Sequence, residues 1–122
     1  MAKQPIKILI AEDDQFLSKV LGTILGDEGF AVEKAFNGEE AIQKIKKDGY
    51  KLILLDLIMP KKTGFEVLEE MKKAKIKTPV LVFSNLSQPE DRKEALRLGA
   101  KDYFVKSNMS VDEVVKEVKK YC

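Results

Sequence analysis

Five side chains that could do chemistry follow directly after short apolar runs of the sequence: Glu12, Asp13, Asp56, Ser84 and Lys106. If the runs form neighbouring strands, the three carboxylates converge and repel one another, so either some of them hold protons or a cation lies among them. The ligands on offer are oxygens, which favours a hard ion such as Mg²⁺. An ammonium group and a hydroxyl beside that ion would suit a phosphoryl group. In this interpretation the adjacent Glu12 and Asp13 hold the metal, and Asp56 is a nucleophile that becomes an aspartyl phosphate.

Positioning these residues requires a particular sheet. The apolar runs are nearly continuous in Ile, Leu and Val, as in parallel strands that are buried on both faces. Amphipathic helical patterns lie between them, most clearly over 17–25. Five such strand–helix units predict an α/β fold, a doubly wound five-stranded parallel sheet of order 2-1-3-4-5 with five helices. Ligands bind such a sheet beyond the carboxyl ends of strands 1 and 3. The predicted strands are Ile6–Ala11, Phe30–Ala35, Leu52–Leu55, Val80–Phe83 and Tyr103–Val105.

The predicted helices have start and stop signals. The segments Ser87–Glu90 and Ser110–Glu113 have the capping-box pattern, in which a hydroxyl and a carboxylate satisfy free amides at a helix start. Asn37 is expected to cap the second helix, and Asp14 is interpreted as the N-cap of the first. Three glycines stand where a helix should end before the next strand: Gly29, Gly49 and Gly99.

Composition excludes several classes of function. The length of 122 residues predicts one domain over residues 1–122. The 22 basic and 20 acidic residues nearly balance, and only 2 of the basic ones are arginine. Direct nucleic-acid binding is therefore not expected, because base readout favours arginine. The chain has no histidine, which excludes Ser-His-Asp and Cys-His catalysis, histidine-ligated zinc and a phosphohistidine on this chain.

The sequence predicts a cytoplasmic protein without membrane insertion. Cys122 is the only cysteine, so no disulfide can form within the chain and a reducing compartment is expected. No apolar run approaches the roughly 20 residues that cross a bilayer. The segment Met1–Pro5 lacks the apolar core of a signal peptide.

Four segments together resemble a known family. They are Ile8–Asp14, Leu52–Gly64, Val80–Ser84 and Gly99–Lys106, in the family's order and over nearly the whole chain. The chain is similar to the receiver domain of bacterial response regulators, the flavodoxin-like fold typified by the chemotaxis regulator. The resemblance implies a stand-alone receiver of a two-component system, which accepts a phosphoryl group and switches its surface in response.

The resemblance also implies roles for the residues of the pocket. Asp56 would be the phosphoacceptor and Lys106 the lysine that contacts the phosphoryl group. Glu12 and Asp13 would form the acidic pair that binds Mg²⁺, with Asp13 favoured as the direct ligand. The backbone carbonyl of Ile58 would complete the protein's share of the metal site.

Partners and switching follow from the same resemblance. Ser84 would be the switch hydroxyl and Tyr103 the switch aromatic, and the fourth helix, fifth strand and fifth helix would form the output surface. The phosphoryl donor would be a sensor histidine kinase or a histidine phosphotransfer protein, since this chain has no histidine. Output would be binding of a downstream target protein or relay of the phosphoryl group onward. The expected state is a monomer, with a dimer on phosphorylation as an alternative.

The chain departs from the family pattern near the pocket. Ile58 and Leu86 occupy two positions that tune phosphoryl loss in this family. Because apolar groups cannot orient an attacking water, we predict a long-lived phosphorylated state. Ser107 stands where many receivers have proline, so the loop after the fifth strand is expected to differ, and Asn85 stands where many have alanine.

Two rival functions fit the sequence less well. A small aspartyl-phosphate phosphatase or phosphotransferase would follow the haloacid-dehalogenase pattern, with a second aspartate two residues after the nucleophile, where this chain has Ile58. A flavin-binding module would need a phosphate-binding loop after the first strand, where this chain has acidic residues that repel phosphate.

Overall fold

The computed structural model describes residues 5–122 and has five strands and five helices in strict alternation. All five strands are parallel and lie in the order β2-β1-β3-β4-β5, which confirms the predicted fold class and strand order. A short 3-10 turn follows the last strand. The elements are β1 Lys7–Ala11, α1 Gln15–Asp27, β2 Ala31–Ala35, α2 Gly38–Lys47, β3 Leu52–Leu55, α3 Gly64–Lys73, β4 Val80–Ser84, α4 Pro89–Arg97, β5 Asp102–Val105, the 3-10 turn Lys106–Asn108 and α5 Val111–Tyr121.

Two helical layers cover the two faces of the sheet. On the inner strand β1, Ile8 and Ile10 belong to the core formed with α1 and α5. Leu9 and Ala11 alternate with them and belong to the core formed with α2, α3 and α4. Because both faces are covered, the strand sequence is apolar throughout instead of alternating. The carboxyl ends of the strands are thereby held at one edge of a rigid, well-packed layer.

The helix starts mostly agree with the sequence signals. Asn37 accepts a hydrogen bond from the amide of Glu40 at 2.8 Å, and both halves of the Ser110–Glu113 capping box are present. The predicted capping box at Ser87–Glu90 is wrong. The helix starts at Pro89, whose fixed φ favours the first helical position, and Gln88 occupies the cap position without a side-chain bond.

Three helices end in the same left-handed turn. The bond from the sixth residue back to the first closes each end, from Phe30 to Leu25 and equivalently after α3 and α4. Gly29 and Gly99 occupy the positive-φ position at two of these ends, with φ of 100° and 110°. The equivalent residue after α3 is Lys75, with φ of 58°. A lysine at this position carries a steric cost that glycine avoids.

The strand bounds agree with the predicted runs to within a residue, and Lys106, directly after β5, begins a 3-10 turn. Within residues 5–122, no helix is both long and apolar enough to cross a bilayer. The prediction about a signal peptide depends on residues 1–4, which lie outside the described part of the chain.

Candidate functional site

Sheet register brings three acidic residues to one point. Ala11 at the end of β1 pairs with Leu55 at the end of β3, and the Asp56 amide donates to the Ala11 carbonyl at 2.9 Å. One carboxylate oxygen from each of Glu12, Asp13 and Asp56 lies within 4.8 Å of the others. Glu12 and Asp56 are buried, whereas Asp13 is exposed at the mouth. The cluster is therefore open to solvent on one side only.

Lys106 supplies the positive charge beside this cluster. Its Nζ lies 2.5 Å from Glu12 Oε1 and 3.1 Å from Asp56 Oδ2, which ties the end of β5 to the ends of β1 and β3. Burial would lower the pKa of Lys106, but the hydrogen bond to Glu12 and the charge of Asp56 outweigh it and raise the pKa. The ammonium group thus stays protonated.

The carboxyl group of Glu12 has a raised pKa of about 7. Burial is the largest cause and outweighs the hydrogen bonds from Lys106 and from the Asp14 amide at 3.0 Å, which lower the pKa. The negative charge of Asp56 raises it further. Asp14 itself points elsewhere, since its carboxylate caps α1 by accepting from the amides of Phe16 and Leu17. It acts as an N-cap, as predicted.

The loop after β3 fixes the second oxygen of Asp56. The Ile58 amide donates to Asp56 Oδ1 at 3.2 Å. The loop closes where α3 begins, because the Gly64 amide donates to the Leu57 carbonyl at 2.9 Å. A Cβ at Gly64 would lie 2.4 Å from the Asp56 carbonyl oxygen, so only glycine permits this approach. A capping box from Thr63 to Glu66 starts α3; its Thr-x-x-Glu pattern is visible in the sequence but was missed.

Ser84 and Tyr103 are connected through the backbone of a single residue. The Ser84 hydroxyl is fully buried and accepts a hydrogen bond from the Leu86 amide at 3.3 Å. Tyr103 is also buried, and its hydroxyl donates to the Leu86 carbonyl at 2.6 Å. Burial raises the pKa of Tyr103, and the charges of Asp91 and Asp56 add to this. The two predicted switch residues therefore share one peptide segment without touching each other directly.

Arg92 connects helix α4 to the strand that carries Tyr103. Its guanidinium donates to the Tyr103 carbonyl at 3.1 Å and lies 3.8 Å from the Asp102 carboxylate. Sequence analysis did not single out Arg92, because no local motif identifies a contact between α4 and β5.

The pocket has a volume of about 230 Å³ and offers only oxygen ligands to a metal. Three carboxylates face one ammonium group, so a divalent cation would balance the remaining charge, and this donor set fits Mg²⁺. The apolar side chain of Ile58 lines the mouth of the pocket and is 52% exposed. Leu86 instead packs against the core, and Ser84 is absent from the described pocket lining. The pocket is lined by Glu12, Asp13, Asp14, Asp56, Ile58, Asn85 and Lys106.

Curated relatives align with this sequence over most of its length. The transcriptional regulatory protein CiaR of Streptococcus pneumoniae is 43% identical over 102 residues, which cover 83% of this chain and 45% of that protein. The CpxR homolog of Haemophilus influenzae is 44% identical over 100 residues, covering 82% and 43%. The chain therefore spans about half the length of the curated relatives it matches, or less.

Solved structures agree with the fold. The receiver domain of the Francisella response regulator 1452 is 33% identical with a TM-score of 0.89, covering 97% of this chain and 96% of that one. The chemotaxis protein CheY4 of Vibrio cholerae is 28% identical with a TM-score of 0.87, covering 98% and 100%. The model of the response regulator receiver domain family matches residues 8–119. With this match over most of its length, the chain belongs to the response regulator receiver domain family, the signalling domains of two-component systems.

Proposed function

We propose that Asp56 accepts a phosphoryl group from the phosphohistidine of a sensor kinase or histidine phosphotransfer protein, and that the aspartyl phosphate changes the surface formed by α4, β5 and α5. One observation carries the proposal. The buried Asp56 carboxylate lies within 3.1 Å of the Lys106 ammonium and inside a cluster of three carboxylates that fits a divalent cation.

In the transfer step, an Asp56 carboxylate oxygen forms a bond to phosphorus while the P–N bond of the donor phosphohistidine breaks and the imidazole leaves. Lys106 stays protonated and holds a phosphoryl oxygen. Glu12, Asp13, Asp56 and the Ile58 carbonyl would hold Mg²⁺, which supplies neutralisation of the phosphoryl charge. The Ile58 amide orients Asp56 through its bond to Oδ1.

The switch would act through Leu86. A phosphoryl group on Asp56 would draw the Ser84 hydroxyl inward as a hydrogen-bond donor, away from the Leu86 amide from which it accepts at 3.3 Å. Losing that bond frees the peptide segment whose carbonyl holds Tyr103, and Arg92 passes the change from β5 to α4. This is a two-state shift of the kind that phosphorylation drives elsewhere, with a coupling of about 1–3 kcal/mol.

The proposed output involves other proteins or other parts of a longer protein. The output would be binding of a target protein or onward relay. Curated relatives about twice as long are named transcriptional regulatory proteins. Action as a lone domain without contact to nucleic acid therefore stays a prediction, as do the monomeric state, the alternative of a dimer on phosphorylation and a cytoplasmic location.

The test is covalent labelling with a small phosphodonor. The protein is incubated with acetyl phosphate and Mg²⁺, and intact mass spectrometry should show the gain of one phosphoryl group. Asp56→Asn should show none, and EDTA should suppress the gain in the unchanged protein. Asp48→Asn, a half-buried aspartate outside the pocket lining, serves as the matched control and should be labelled normally. An equal mass gain in Asp56→Asn would overturn the assignment.

A further inference from the structure

A second concave surface lies at the other edge of the sheet. It is a groove of about 460 Å³ between the carboxyl-terminal ends of α3 and α4. Val80, the first residue of β4, lies in it, and so does Lys101, which directly precedes β5 and whose amide donates to the Val80 carbonyl at 2.8 Å. The groove is therefore built at the amino ends of the strands, whereas the acidic pocket lies at their carboxyl ends.

The groove has an apolar floor and a basic rim. Leu98 and Met71 are buried in the floor, while Leu96 keeps 38% of its surface exposed. Four exposed lysines surround these residues, and we call the site the lysine groove after them. None of their ammonium groups lies within 4.0 Å of a carboxylate in the described part of the chain. The four are Lys72, Lys75, Lys77 and Lys101.

The lining of the groove departs from the charge balance of the whole chain. The whole chain is nearly balanced, with a net charge of +2, yet no acidic residue lines the groove within residues 5–122. Four like charges around one cavity repel one another and attract an anionic partner. The rim is thus complementary to a negatively charged surface.

Lys75 strengthens this reading of the groove. It occupies the left-handed position at the end of α3, where α1 and α4 have Gly29 and Gly99. A glycine would relieve the steric cost at this position, so the lysine side chain is retained at the expense of local backbone energy. The lysine adds an exposed ammonium group to the rim, which glycine would not supply.

We propose that the lysine groove docks an acidic protein segment that carries bulky aliphatic side chains. The apolar floor takes the aliphatic side chains, and the four lysines pair with flanking Asp and Glu. A nucleotide or nucleic acid is disfavoured, because the described lining has neither an aromatic side chain for base stacking nor an arginine for bidentate phosphate contacts. Lysines on flexible stems suit the irregular spacing of carboxylates on a peptide.

Fluorescence anisotropy tests the proposal with a defined probe, a short labelled peptide that has a central Leu-Leu pair between runs of Glu and Asp. The full chain should bind this peptide, and binding should weaken as salt rises because exposed charges are screened. A peptide with Ser-Ser in place of Leu-Leu should bind about tenfold more weakly, since its side chains leave the floor exposed to water. Equal binding of both peptides would overturn the groove as the site.

Paired variants locate the binding. Lys75→Glu with Lys101→Glu should weaken the peptide about tenfold or more by reversing two rim charges. Lys47→Glu with Lys116→Glu makes the same change of net charge at exposed positions outside the groove, and should bind as the unchanged protein does. If both double variants bound the peptide equally weakly, net charge alone would explain the loss of binding, and the proposal would be overturned. Both pairs must keep the thermal transition of the unchanged protein, and Lys75→Gly, which relieves the backbone, should still weaken binding.

A competition experiment distinguishes an acidic peptide from other anions that could bind the groove. ATP or a short oligonucleotide that displaced the peptide at lower concentration than an unlabelled acidic peptide would identify a nucleotide or polyanion site and overturn the proposal. The rim variants should still be labelled on Asp56 by acetyl phosphate. Failure of peptide docking and failure of phosphorylation are therefore independent results.

Discussion

The two edges of the sheet differ both in the sign of their charged groups and in how those groups are paired. At the carboxyl edge, buried Glu12 and Asp56 share the ammonium of Lys106 at hydrogen-bonding distance. At the amino edge, the lysine groove holds four exposed ammonium groups, none with a carboxylate within 4.0 Å in the described residues. The buried carboxylates of the acidic pocket need a partner of opposite charge, because water does not solvate them. The exposed lysines of the groove can remain unpaired, because water does solvate them.

This difference predicts where a lysine matters for stability. Removing one partner of a buried pair leaves an uncompensated charge, which is costly. An exposed lysine contributes little, because water solvates it in either state. The same substitution made at the two edges should therefore give very different results.

The largest effect is expected for Lys106→Met. It should lower the free energy of unfolding by about 1–3 kcal/mol in EDTA, because the carboxylates of Glu12 and Asp56 lose their shared donor. Urea denaturation measures the change, with Lys101→Met in the groove as the control. The control should stay within about 0.5 kcal/mol of the unchanged protein.

Repeating the urea denaturation of Lys106→Met with Mg²⁺ in place of EDTA tests the metal site. If the three carboxylates hold the ion, it should restore part of the stability of Lys106→Met by mass action. Equal destabilisation at the two edges would contradict the comparison, as would an absence of any Mg²⁺ effect on Lys106→Met.

The next effect concerns the mouth of the pocket. Ile58 is exposed there, so Ile58→Asn places an amide where it can orient water toward a phosphoryl group on Asp56. We expect the phosphorylated state to decay several-fold faster, measured by intact mass over time after donor removal. Changing Leu86 to Glu as well would confuse the result, because Leu86 packs on the core and its backbone joins Ser84 to Tyr103.

Leu96→Asn is the matched control at the other edge. It changes an exposed leucine of the groove in the same way and should leave the decay rate unchanged. A lifetime that does not change in Ile58→Asn would contradict the prediction that the apolar residue preserves the phosphoryl group.

Much of the fold was predictable, because strand periodicity and topology leave few choices. Five apolar runs separated by helical patterns admit a doubly wound sheet, and that sheet forces Glu12 and Asp56 together at the ends of neighbouring strands. The position of a polar residue directly after an apolar run therefore predicted its place in the pocket, although the sequence shows no contacts.

The missed features depend on tertiary placement. The link from Ser84 through Leu86 to Tyr103 depends on backbone atoms, which every residue has. The lysine groove joins the carboxyl-terminal ends of α3 and α4 and the loops that follow them, and in sequence its lysines look like the other solvent-exposed ones. The wrong capping box at Ser87 failed for a local reason, since Pro89 set the helix start one residue later than the motif implied.

A smaller effect is expected at Lys75. Lys75→Gly should raise the free energy of unfolding by about 0.5–1 kcal/mol, because glycine adopts the positive φ without steric cost. Gly99→Ala makes the reverse change at the equivalent end of α4 and should destabilise by a similar amount. Chemical denaturation of both variants measures the difference. A loss of stability in Lys75→Gly would mean that the lysine supports the fold, and would remove one argument for the groove.

The smallest effect belongs to a paired cluster at the amino edge, where Glu33 accepts from Tyr50 at 3.0 Å and lies 3.3 Å from Lys7. Burial would raise the pKa of Glu33, but the hydrogen bonds from Tyr50 and Lys7 outweigh it and lower the pKa below 4.5. A lowered pKa in the folded state gives stability that is present above the unfolded value and lost as pH falls through the folded one.

The expected loss is a few tenths of a kcal/mol, because water screens this half-exposed pair. It should be measurable as a shallower fall of urea stability between pH 6 and 3 in Glu33→Gln. Lys101→Met, at the groove end of the same edge, should keep the slope of the unchanged protein, because no carboxylate in residues 5–122 lies within 4.0 Å of the Lys101 ammonium group. If both variants lost the slope equally, the Lys101 ammonium group would be coupled to a carboxylate, and the contrast between paired charges and the unpaired lysines of the groove would fail.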